Sequence, residues 1–378
     1  MRIGIDARPL AKRRTGIGNY VFNVLKELKE IDSENEYFLY SNKAFSLPFE
    51  EDERWHKCIY PSRIGTLWYC ICLPQILRKD GIDTFWGTQH VLPFGNRSIM
   101  YLLTVHDLAM YYFPKAAAGY NYIVNRLLLP YSVHKADNII AVSISTQNDL
   151  INKLGTDERK ISVIYEAADK RFMPADIASA KKKAAAKYGI NEDYILYLGT
   201  LEPRKNVPLL LEAYKKYMDM NLSGHRLVLA GGRGWKYEEI FRLADRLDLS
   251  KKVIFPGYVE DEDLTDLYSA ASLFVFPSKY EGFGLPVLEA MSCSIPVITS
   301  NVSSLPEVAG QAAILTDPED PDMLAANIRS VLTDEKLQME LKAKGIRQSG
   351  KFSWQDCAMG VYRLLMETGA SGGGCRWR

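Results

Sequence analysis

Residues 278–290 read Ser-Lys-Tyr-Glu-Gly-Phe-Gly-Leu-Pro-Val-Leu-Glu-Ala, and they follow a continuous apolar run at 271–277 that ends in a proline. Such a run predicts a short, fully buried strand. Gly282 and Gly284 permit a tight turn in which backbone N–H groups come close to a ligand. Pro286 suits the first position of a helix. The stretch therefore predicts a strand, a glycine turn and a helix, the unit from which doubly wound parallel sheets are built.

Two carboxylates flank this turn, Glu281 on the predicted loop and Glu289 in the predicted first turn of the helix. Open parallel sheets hold ligands at the carboxyl ends of their strands, where helix N–H groups also point. Ionised carboxylates only accept hydrogen bonds, so the pair suits the hydroxyls of a sugar and a ribose. A glutamate near a helix start is also a common partner of the helix dipole, so this stretch alone leaves a structural role open.

The composition is that of an ordinary globular protein large enough for two domains, with 378 residues and a formal net charge of +1. This balance argues against nucleic-acid binding. No apolar run reaches membrane-spanning length and the N-terminus enters a predicted strand directly, so we expect no secretory signal and a cytoplasmic protein. The six cysteines are scattered, so reduced thiols are expected and a metal site is not. They are Cys58, Cys70, Cys72, Cys293, Cys357 and Cys375.

Strand-like and helix-like segments alternate twice along the chain, which predicts two Rossmann-like, doubly wound α/β domains facing each other across a cleft. The polar Asp169–Tyr188 segment interrupts the alternation and is the predicted linker. We predict an N-terminal domain at 1–172 and a C-terminal domain at 173–353, with a helix at about 354–368 packing back on the first. The glycine-rich end from residue 369 is expected to be a flexible tail. The predicted strands are 2–7, 36–41, 84–88, 98–105, 138–143, 161–166, 194–199, 226–231, 253–257, 271–277, 297–300 and 313–315.

Gly16 and Gly18 follow the first predicted strand and open a helix, a geometry that points N–H groups at an anion. Val21 stands where a dinucleotide fingerprint has its third glycine, and no acidic residue ends the second strand. The pair therefore predicts an anion- or substrate-approach loop, and gives weak support to NAD binding.

Arg204 and Lys205 stand between the first strand and first helix of the second half. Cations there oppose the positive end of a helix dipole, and a bound anion is the simplest compensation. We predict a diphosphate site, with two solvated loop charges as the alternative.

Two further strand ends carry candidate residues. His106-Asp107 ends an apolar strand of the first half, and a histidine in a cleft can donate to a sugar hydroxyl or to a developing negative charge. The glycine-rich Gly231–Trp235 loop either admits a base or phosphate closely or is simply a flexible loop.

A basic stretch at 12–14, with the aromatic-rich stretches 67–71 and 110–113, suggests contact with an acidic lipid head group or a membrane surface. Core packing is the alternative explanation for these aromatic residues.

Taken together, these motifs resemble the retaining glycosyltransferases of family 4 (group 1), whose signature has two glutamates eight positions apart, as in Glu281 and Glu289. The resemblance covers nearly the whole chain and implies the GT-B architecture. Ile-Asp-Ala-Arg at 5–8, Thr-Gly-Ile-Gly-Asn-Tyr at 15–20 and Val-Ile-Tyr-Glu-Ala-Ala-Asp at 163–169 look most like the mannosyltransferases of this family that build O-antigen-type polysaccharides. The implied donor is an NDP-sugar, with GDP-mannose favoured, and the implied acceptor is a glycan or lipid-linked glycan.

The resemblance also implies a role for each candidate residue. Arg204 and Lys205 would neutralise the donor diphosphate, and Glu289 would accept from the ribose hydroxyls. Glu281 would contact the transferred sugar, and His106 would contact it from the first domain. The glycine turn would line the sugar and phosphates with backbone N–H groups; its residues are Gly282, Phe283, Gly284 and Leu285.

No cofactor and no metal are expected, because no Asp-x-Asp motif stands in a suitable loop, and fixed cations with a helix N-terminus can offset the leaving group's charge. The family implies retention of configuration. Three alternatives stay open: another NDP-hexose donor, a related sugar phosphorylase or nucleotide-sugar epimerase, and a two-domain binding protein without chemistry.

Overall fold

The computed structural model describes residues 1–11, 16–95, 98–113, 120–220 and 224–373. The chain divides into two compact units. Unit 1 contains the described residues of 1–112, together with 120–166 and 353–373, and unit 2 contains Phe113 and the described residues of 167–352. Each unit is a parallel β-sheet with helices, so the predicted pair of doubly wound α/β domains is confirmed.

The sheet of unit 1 has seven parallel strands in the order β3-β2-β1-β4-β5-β6-β7. The chain therefore reverses its direction of winding between β1 and β4, whose residues Ile3 and Thr84 are in register. The strands are β1 (Arg2–Asp6), β2 (Glu36–Ser41), β3 (Trp55–Ile59), β4 (Thr84–Gly87), β5 (Met100–Val105), β6 (Asn138–Ala141) and β7 (Ile161–Val163).

Helix α1 buries one apolar face, on which Val21, Val24, Leu25 and Leu28 are fully buried. The last helix of the chain packs on α1 and on β5. The helices are α1 (Gly16–Ile31), α2 (Gly65–Leu67), a π-helical turn (Trp68–Cys72), α3 (Leu73–Lys79), α4 (Ala109–Tyr112), α5 (Tyr120–Lys135), α6 (Ile144–Leu154) and, after unit 2, α15 (Trp354–Gly373).

The sheet of unit 2 has six parallel strands in the order β10-β9-β8-β11-β12-β13, so its winding reverses between β8 and β11. Pro256 lies in the edge strand β10, where a residue without an N–H group is tolerated, and the register against β9 shifts there. The strands are β8 (Tyr194–Leu198), β9 (Arg226–Ala230), β10 (Val253–Gly257), β11 (Leu273–Phe276), β12 (Val297–Ser300) and β13 (Ile314–Thr316).

The helices of unit 2 follow the strands, and several begin at an aspartate that accepts a hydrogen bond from the first turn. They are α7 (Ile177–Tyr188), α8 (Val207–Asp219), α9 (Tyr237–Arg246), α10 (Leu264–Ser269), α11 (Leu285–Ser292), α12 (Leu305–Ala309), α13 (Pro321–Thr333) and α14 (Glu335–Ser349).

The linker prediction was wrong for most of its length. The Ala/Lys-rich segment forms α7, with the Asp176 carboxylate accepting from Ser179 N and Gly189 ending the helix in the left-handed conformation. Ala180 and Ala184 are buried, and α7 packs on α10. Small buried residues at i and i+4 give a narrow apolar stripe, which the lysines around it mask in the sequence.

Three smaller expectations also need correction. Strand β3 was not predicted, because Trp-His-Lys-Cys-Ile lacks a clear apolar run. The sequence predicts one helical stretch at about 320–349, but this stretch breaks into α13 and α14 at Asp334, whose carboxylate accepts from Leu337 N at 3.0 Å. Helix α11 begins at Leu285, so Glu289 lies one turn into the helix rather than in its first turn. Among the described residues no helix combines the length and apolar character needed to cross a bilayer.

Candidate active site

The candidate site of unit 2 lies at the reversal of its sheet, because β8 and β11 are neighbours there and their following helices lead in opposite directions. The loop after β8 carries Arg204 and Lys205, and the loop after β11 carries Glu281. The two loops touch, since Lys279 N donates to the Arg204 carbonyl at 2.9 Å. Residues 76 positions apart are thus brought together, as the sequence motifs predicted.

An ion cluster joins the two loops. Lys205 Nζ donates to Glu281 Oε1 at 2.7 Å, and Arg204 donates to Glu281 Oε2 at 3.1 Å. Arg204 also donates to the Tyr280 carbonyl at 2.8 Å and pairs with Glu202 at 2.9 Å. The cluster therefore contains two cations and two carboxylates, whose charges cancel in the structure.

Electrostatics keep Glu281 ionised. Burial would raise its pKa, but Lys205 and Arg204 overcome that effect and lower the pKa to about 2. Burial also lowers the pKa of Lys205, although the attraction of Glu281 opposes this. A buried carboxylate held by two cations can release them only to another anion, because neither cation reaches water freely.

The glycine turn is held by two serines, Ser303 and Ser304, which follow the next strand, β12. Ser303 Oγ accepts from Glu281 N at 3.0 Å, and Ser304 Oγ lies 3.0 Å from the Glu281 carbonyl and 2.7 Å from that of Phe283. Gly284 has a φ of 112°, and a Cβ there would lie 2.9 Å from Leu305. Glycine is therefore required at 284 to direct the chain into α11.

Helix α11 presents its first N–H groups at this turn, because the opening residues of a helix lack intrahelical acceptors. Gly282 and Phe283 are buried, and Phe283 packs edge-on against Phe352 at 5.9 Å. Leu285 is the first helical residue and is partly exposed. All four turn residues of the prediction thus lie between Glu281 and the start of α11.

Glu289 has a different environment from Glu281. Tyr268 of α10 donates to its Oε2 at 2.8 Å, and the side chain is partly exposed. Burial raises its pKa to about 7; Tyr268 and Arg171 oppose the rise, while Asp261 and Asp169 add to it. Glu289 therefore changes charge near neutral pH, whereas Glu281 does not.

His106, Gly16 and Gly18 lie in unit 1, apart from these residues in the sequence and in a different compact body. His106 is buried, with Nδ1 3.1 Å from Glu166 Oε1 and Nε2 3.0 Å from the Thr88 carbonyl. A carbonyl oxygen only accepts, so Nε2 carries a proton. Both ring nitrogens are thus engaged inside unit 1, a partnership that the sequence did not reveal.

Gly16 is the first residue of α1 and is exposed, and Gly18 is buried in its first turn. The preceding loop residues, 12–15, lie outside the described residues.

The Gly231–Trp235 loop has a structural reason for its glycines. Gly231 has a φ of 139°, and a Cβ there would lie 2.0 Å from the Gly199 carbonyl oxygen. Leu201 N donates to the Gly232 carbonyl at 2.9 Å, and Gly234 N donates back to the Leu201 carbonyl at 3.1 Å. The loop therefore braces the segment that carries Arg204.

The aromatic stretches of the membrane hypothesis are divided between core and surface. Trp68, Tyr69 and Cys70 are buried, whereas Leu67 and Ile71 are half exposed. In the second stretch Met110 is buried and Tyr112 is exposed, and the basic residues 12–14 lie outside the described residues.

The described cysteines are free thiols, and the part of the chain that the structure describes contains no group of three or more His, Cys, Asp or Glu side chains arranged to hold a metal ion.

Four residues of the site were missed in the sequence: Glu202, Tyr268, Ser303 and Ser304. Glu202 lies within the predicted anion motif, and the serine pair follows β12 at the same sheet edge, so both had a positional signal. Tyr268 had none, because a tyrosine in an apolar helix predicts core packing.

Two family models together match most of the chain. Residues 14–172 match the family model described as Glycosyltransferase Family 4, and residues 180–348 match that described as glycosyl transferases group 1. The chain is 32% identical over 388 residues to O-antigen chain mannosyltransferase B of Escherichia coli, covering 97% of this chain and 100% of that protein.

Two solved structures share the fold. Sucrose-phosphate synthase from Thermosynechococcus elongatus matches with a TM-score of 0.78 and 20% identity, over 98% of this chain and 100% of that one. Anabaena Alr3699/HepE, solved with UDP and glucose, matches with a TM-score of 0.72 and 18% identity, over 97% and 99% of the two chains. The chain therefore has the GT-B fold and belongs to the family 4 (group 1) glycosyltransferases, in the family of the O-antigen mannosyltransferases.

Proposed function

We propose that this glycosyltransferase moves a mannosyl residue from GDP-mannose to a glycan or lipid-linked glycan acceptor during synthesis of a cell-surface polysaccharide. The full-length similarity to an O-antigen chain mannosyltransferase supports the sugar and the type of product. The observation that carries the proposal is the Lys205–Glu281–Arg204 cluster at the reversal of the second sheet, because it holds two partly buried cations beside a buried, ionised carboxylate.

The donor would bind by exchanging partners within this cluster. The diphosphate takes over Arg204 and Lys205, and Glu281 then turns its oxygens to hydroxyls of the transferred sugar. This exchange gives both cations a new anionic partner and leaves the Glu281 carboxylate with hydroxyl donors, whereas a diphosphate added to the intact cluster would meet cations already neutralised. Binding energy from the nucleotide would thus organise the sugar contact.

The remaining site residues would complete the donor site. Glu289 accepts from the ribose hydroxyls. The N–H groups of the turn face the sugar and phosphates, supplied by Gly282, Phe283, Gly284 and Leu285. From unit 1, His106 would contact the sugar by giving up the Glu166 or the Thr88 partner of one ring nitrogen, and Gly16 and Gly18 at the start of α1 would lie at the approach of the substrate.

We propose transfer with retention and without a metal. The bond between the anomeric carbon and the phosphate oxygen breaks, the acceptor oxygen bonds to that carbon on the same face, and the departing phosphate takes the acceptor's proton. Arg204, Lys205 and the N–H groups of α11 would stabilise the charge on the leaving nucleotide.

A lipid-linked acceptor would place the enzyme at the inner face of the cell membrane, and we propose a cytoplasmic protein with peripheral membrane contact. The exposed Leu67, Ile71 and Tyr112 of unit 1 are the residues of the original hypothesis that could meet a lipid surface.

The test begins with a thermal-shift panel of GDP-, UDP- and ADP-sugars, with and without chelator, because a ligand of the folded state raises the melting temperature. Transfer from the stabilising donor to a set of alkyl glycosides is then measured, and the anomeric configuration of the product is read by NMR. We expect GDP-mannose to stabilise with chelator present and to yield an α-mannoside.

Other outcomes separate the alternatives. Stabilisation by a UDP- or ADP-sugar instead would keep the transferase and change the donor. Turnover that requires inorganic phosphate rather than an alcohol would indicate a phosphorylase. Binding of a sugar nucleotide with no turnover under any condition would indicate a binding protein.

A further inference from the structure

His90 has an unusual backbone. It follows β4 and has a φ of 47°, in the left-handed region that non-glycine residues rarely adopt. Its neighbours hold it there: His90 N donates to the Thr104 carbonyl at 3.1 Å, and Thr88 Oγ1 donates to the Asp6 carbonyl at 2.7 Å. Strained residues that persist in this way concentrate at functional sites.

One nitrogen of the His90 ring also lacks a hydrogen bond. The residue is only 7% exposed, and its buried Nδ1 has no hydrogen-bond partner among the residues that the structure describes. The ring lies edge-to-face with that of His106, with 5.7 Å between centroids. Burial lowers the pKa of His90 to about 4, which Asp107 opposes and His106 reinforces. The imidazole is therefore neutral at physiological pH.

Its place in the fold is where a ligand is expected. His90 lies on the loop after β4, and β4 is paired with β1 at the point where the first sheet reverses its winding. Ligands of open parallel sheets bind beyond the carboxyl ends of strands at such a point. The equivalent position in unit 2 holds the Lys205–Glu281–Arg204 cluster.

The chemistry of the ring selects a type of ligand. A neutral imidazole offers one donor and one acceptor, which matches a hydroxyl group, itself donor and acceptor. An anion would require a second donor or a charge, and His90 supplies neither.

We propose that His90 binds a hydroxyl group of the sugar acceptor and helps to decide which acceptor is used. This inference rests on the proposed transferase function, which assigns the donor to unit 2 and leaves the acceptor to unit 1. A ring nitrogen without a partner in the free enzyme forms a hydrogen bond only when the acceptor binds. The free energy of that hydrogen bond therefore contributes to acceptor affinity.

Two variants test the proposal without altering the backbone, because glycine and asparagine both tolerate a positive φ. His90→Gly removes the ring, and His90→Asn keeps one donor and one acceptor. With the alkyl glycoside that wild type uses best, we expect His90→Gly to raise the acceptor KM about tenfold, the effect of one lost hydrogen bond. The donor KM and the rate of donor hydrolysis without acceptor should stay within twofold, and His90→Asn should recover most of the affinity.

Asp248→Gly is the matched control, because Asp248 is an exposed residue of unit 2 that also has a positive φ, of 57°. It should change neither KM. An acceptor KM within twofold of wild type in His90→Gly would overturn the proposal. So would equal rises of both KM values with a lower melting temperature, since that pattern indicates a structural role. Failure of the proposed function is seen separately, as absence of turnover by wild type.

Discussion

The two sheets reverse their winding at equivalent positions, and each reversal holds a buried arginine–carboxylate pair, but the surroundings of the two pairs differ. In unit 2 Arg204 shares Glu281 with Lys205, and the three charges lie beside the open N-terminus of α11. In unit 1 Arg8 binds Asp6 at 2.8 and 2.7 Å, and its guanidinium stacks on Tyr69 at 3.3 Å. The Asp6 side chain is completely buried.

This comparison shows how one architecture produces two kinds of site. Unit 1 has the imidazole of His90, whose Nδ1 has no hydrogen-bond partner among the described residues and suits a hydroxyl group, whereas both ring nitrogens of His106 are engaged. In the cluster of unit 2 both cations share the carboxylate of Glu281, so a diphosphate can replace Glu281 as their partner. We infer that the ion pair of unit 1 is structural and that of unit 2 is exchanged during binding.

The largest expected effect is on the exchangeable cluster. Lys205→Met and Glu281→Gln should each lower kcat/KM for transfer about 10²–10³-fold, because each removes a charged group aimed at the reacting donor. Both proteins should remain folded, since Arg204 still contacts the Tyr280 carbonyl and Glu202. Steady-state kinetics and circular dichroism provide the measurement.

Lys216→Met is the control for this experiment, because Lys216 pairs with Asp322 at 2.7 Å on the exposed surface of the same unit. Its activity should equal that of wild type. Near-normal transfer by both cluster variants would mean that the site has been assigned to the wrong residues.

A smaller effect, on stability rather than donor binding, is expected at the pair of unit 1. Arg8→Met leaves the Asp6 carboxylate buried without its cation and should lower the free energy of unfolding by about 3 kcal/mol. Donor affinity should stay unchanged. Urea denaturation and donor titration measure the two quantities.

Asp157 and Arg159 offer a close control, since this pair has the same spacing and the same two-point contact, with Arg159 89% exposed at its side chain. Arg159→Met should leave the free energy of unfolding unchanged within experimental error, because water and salt screen an exposed ion pair. If Arg8→Met weakened donor binding as strongly as Lys205→Met, the division into structural and exchangeable pairs would be wrong.

The smallest expected effect concerns pH within unit 2. With a pKa of about 7, Glu289 is mostly protonated at pH 6 and mostly ionised at pH 8. Donor binding that requires the ionised carboxylate as acceptor for the ribose hydroxyls should therefore tighten by up to about tenfold over this range. Calorimetric titration of wild type should show this rise, and Glu289→Gln should flatten it.

The same residue has the opposite effect on stability. The folded state holds the Glu289 proton more tightly than the unfolded chain does, so between the ordinary pKa of a glutamate and about 7 the folded state binds more protons. The contribution of the Glu289 proton to the free energy of unfolding is fully present below the ordinary pKa of a glutamate, and it is lost as pH rises towards 7. A melting temperature of the free protein with the same pH dependence in wild type and Glu289→Gln would contradict the assignment.

Much of the fold could be predicted because strand ends have local signals. The apolar runs before Gly199, Gly231 and Gly282 marked three neighbouring strands, and the residues after them proved to share one sheet edge. Helix α7 escaped prediction because its buried face consists only of alanines, and β3 because its burial depends on neighbouring strands rather than on its own pattern.

The candidate site likewise has features that could be predicted from the sequence and features that could not. By itself the sequence determined the two parallel-sheet domains and the strand ends that carry Arg204, Lys205, Glu281 and Glu289, because those follow from periodicity, glycine and proline within short windows. Tertiary structure alone decided the choice of partners: Glu281 holds both cations, Tyr268 reaches Glu289, and His90 lies buried beside His106. Partner choice depends on sheet order and burial, which bring together residues far apart in the chain and set the local dielectric on which their charges depend.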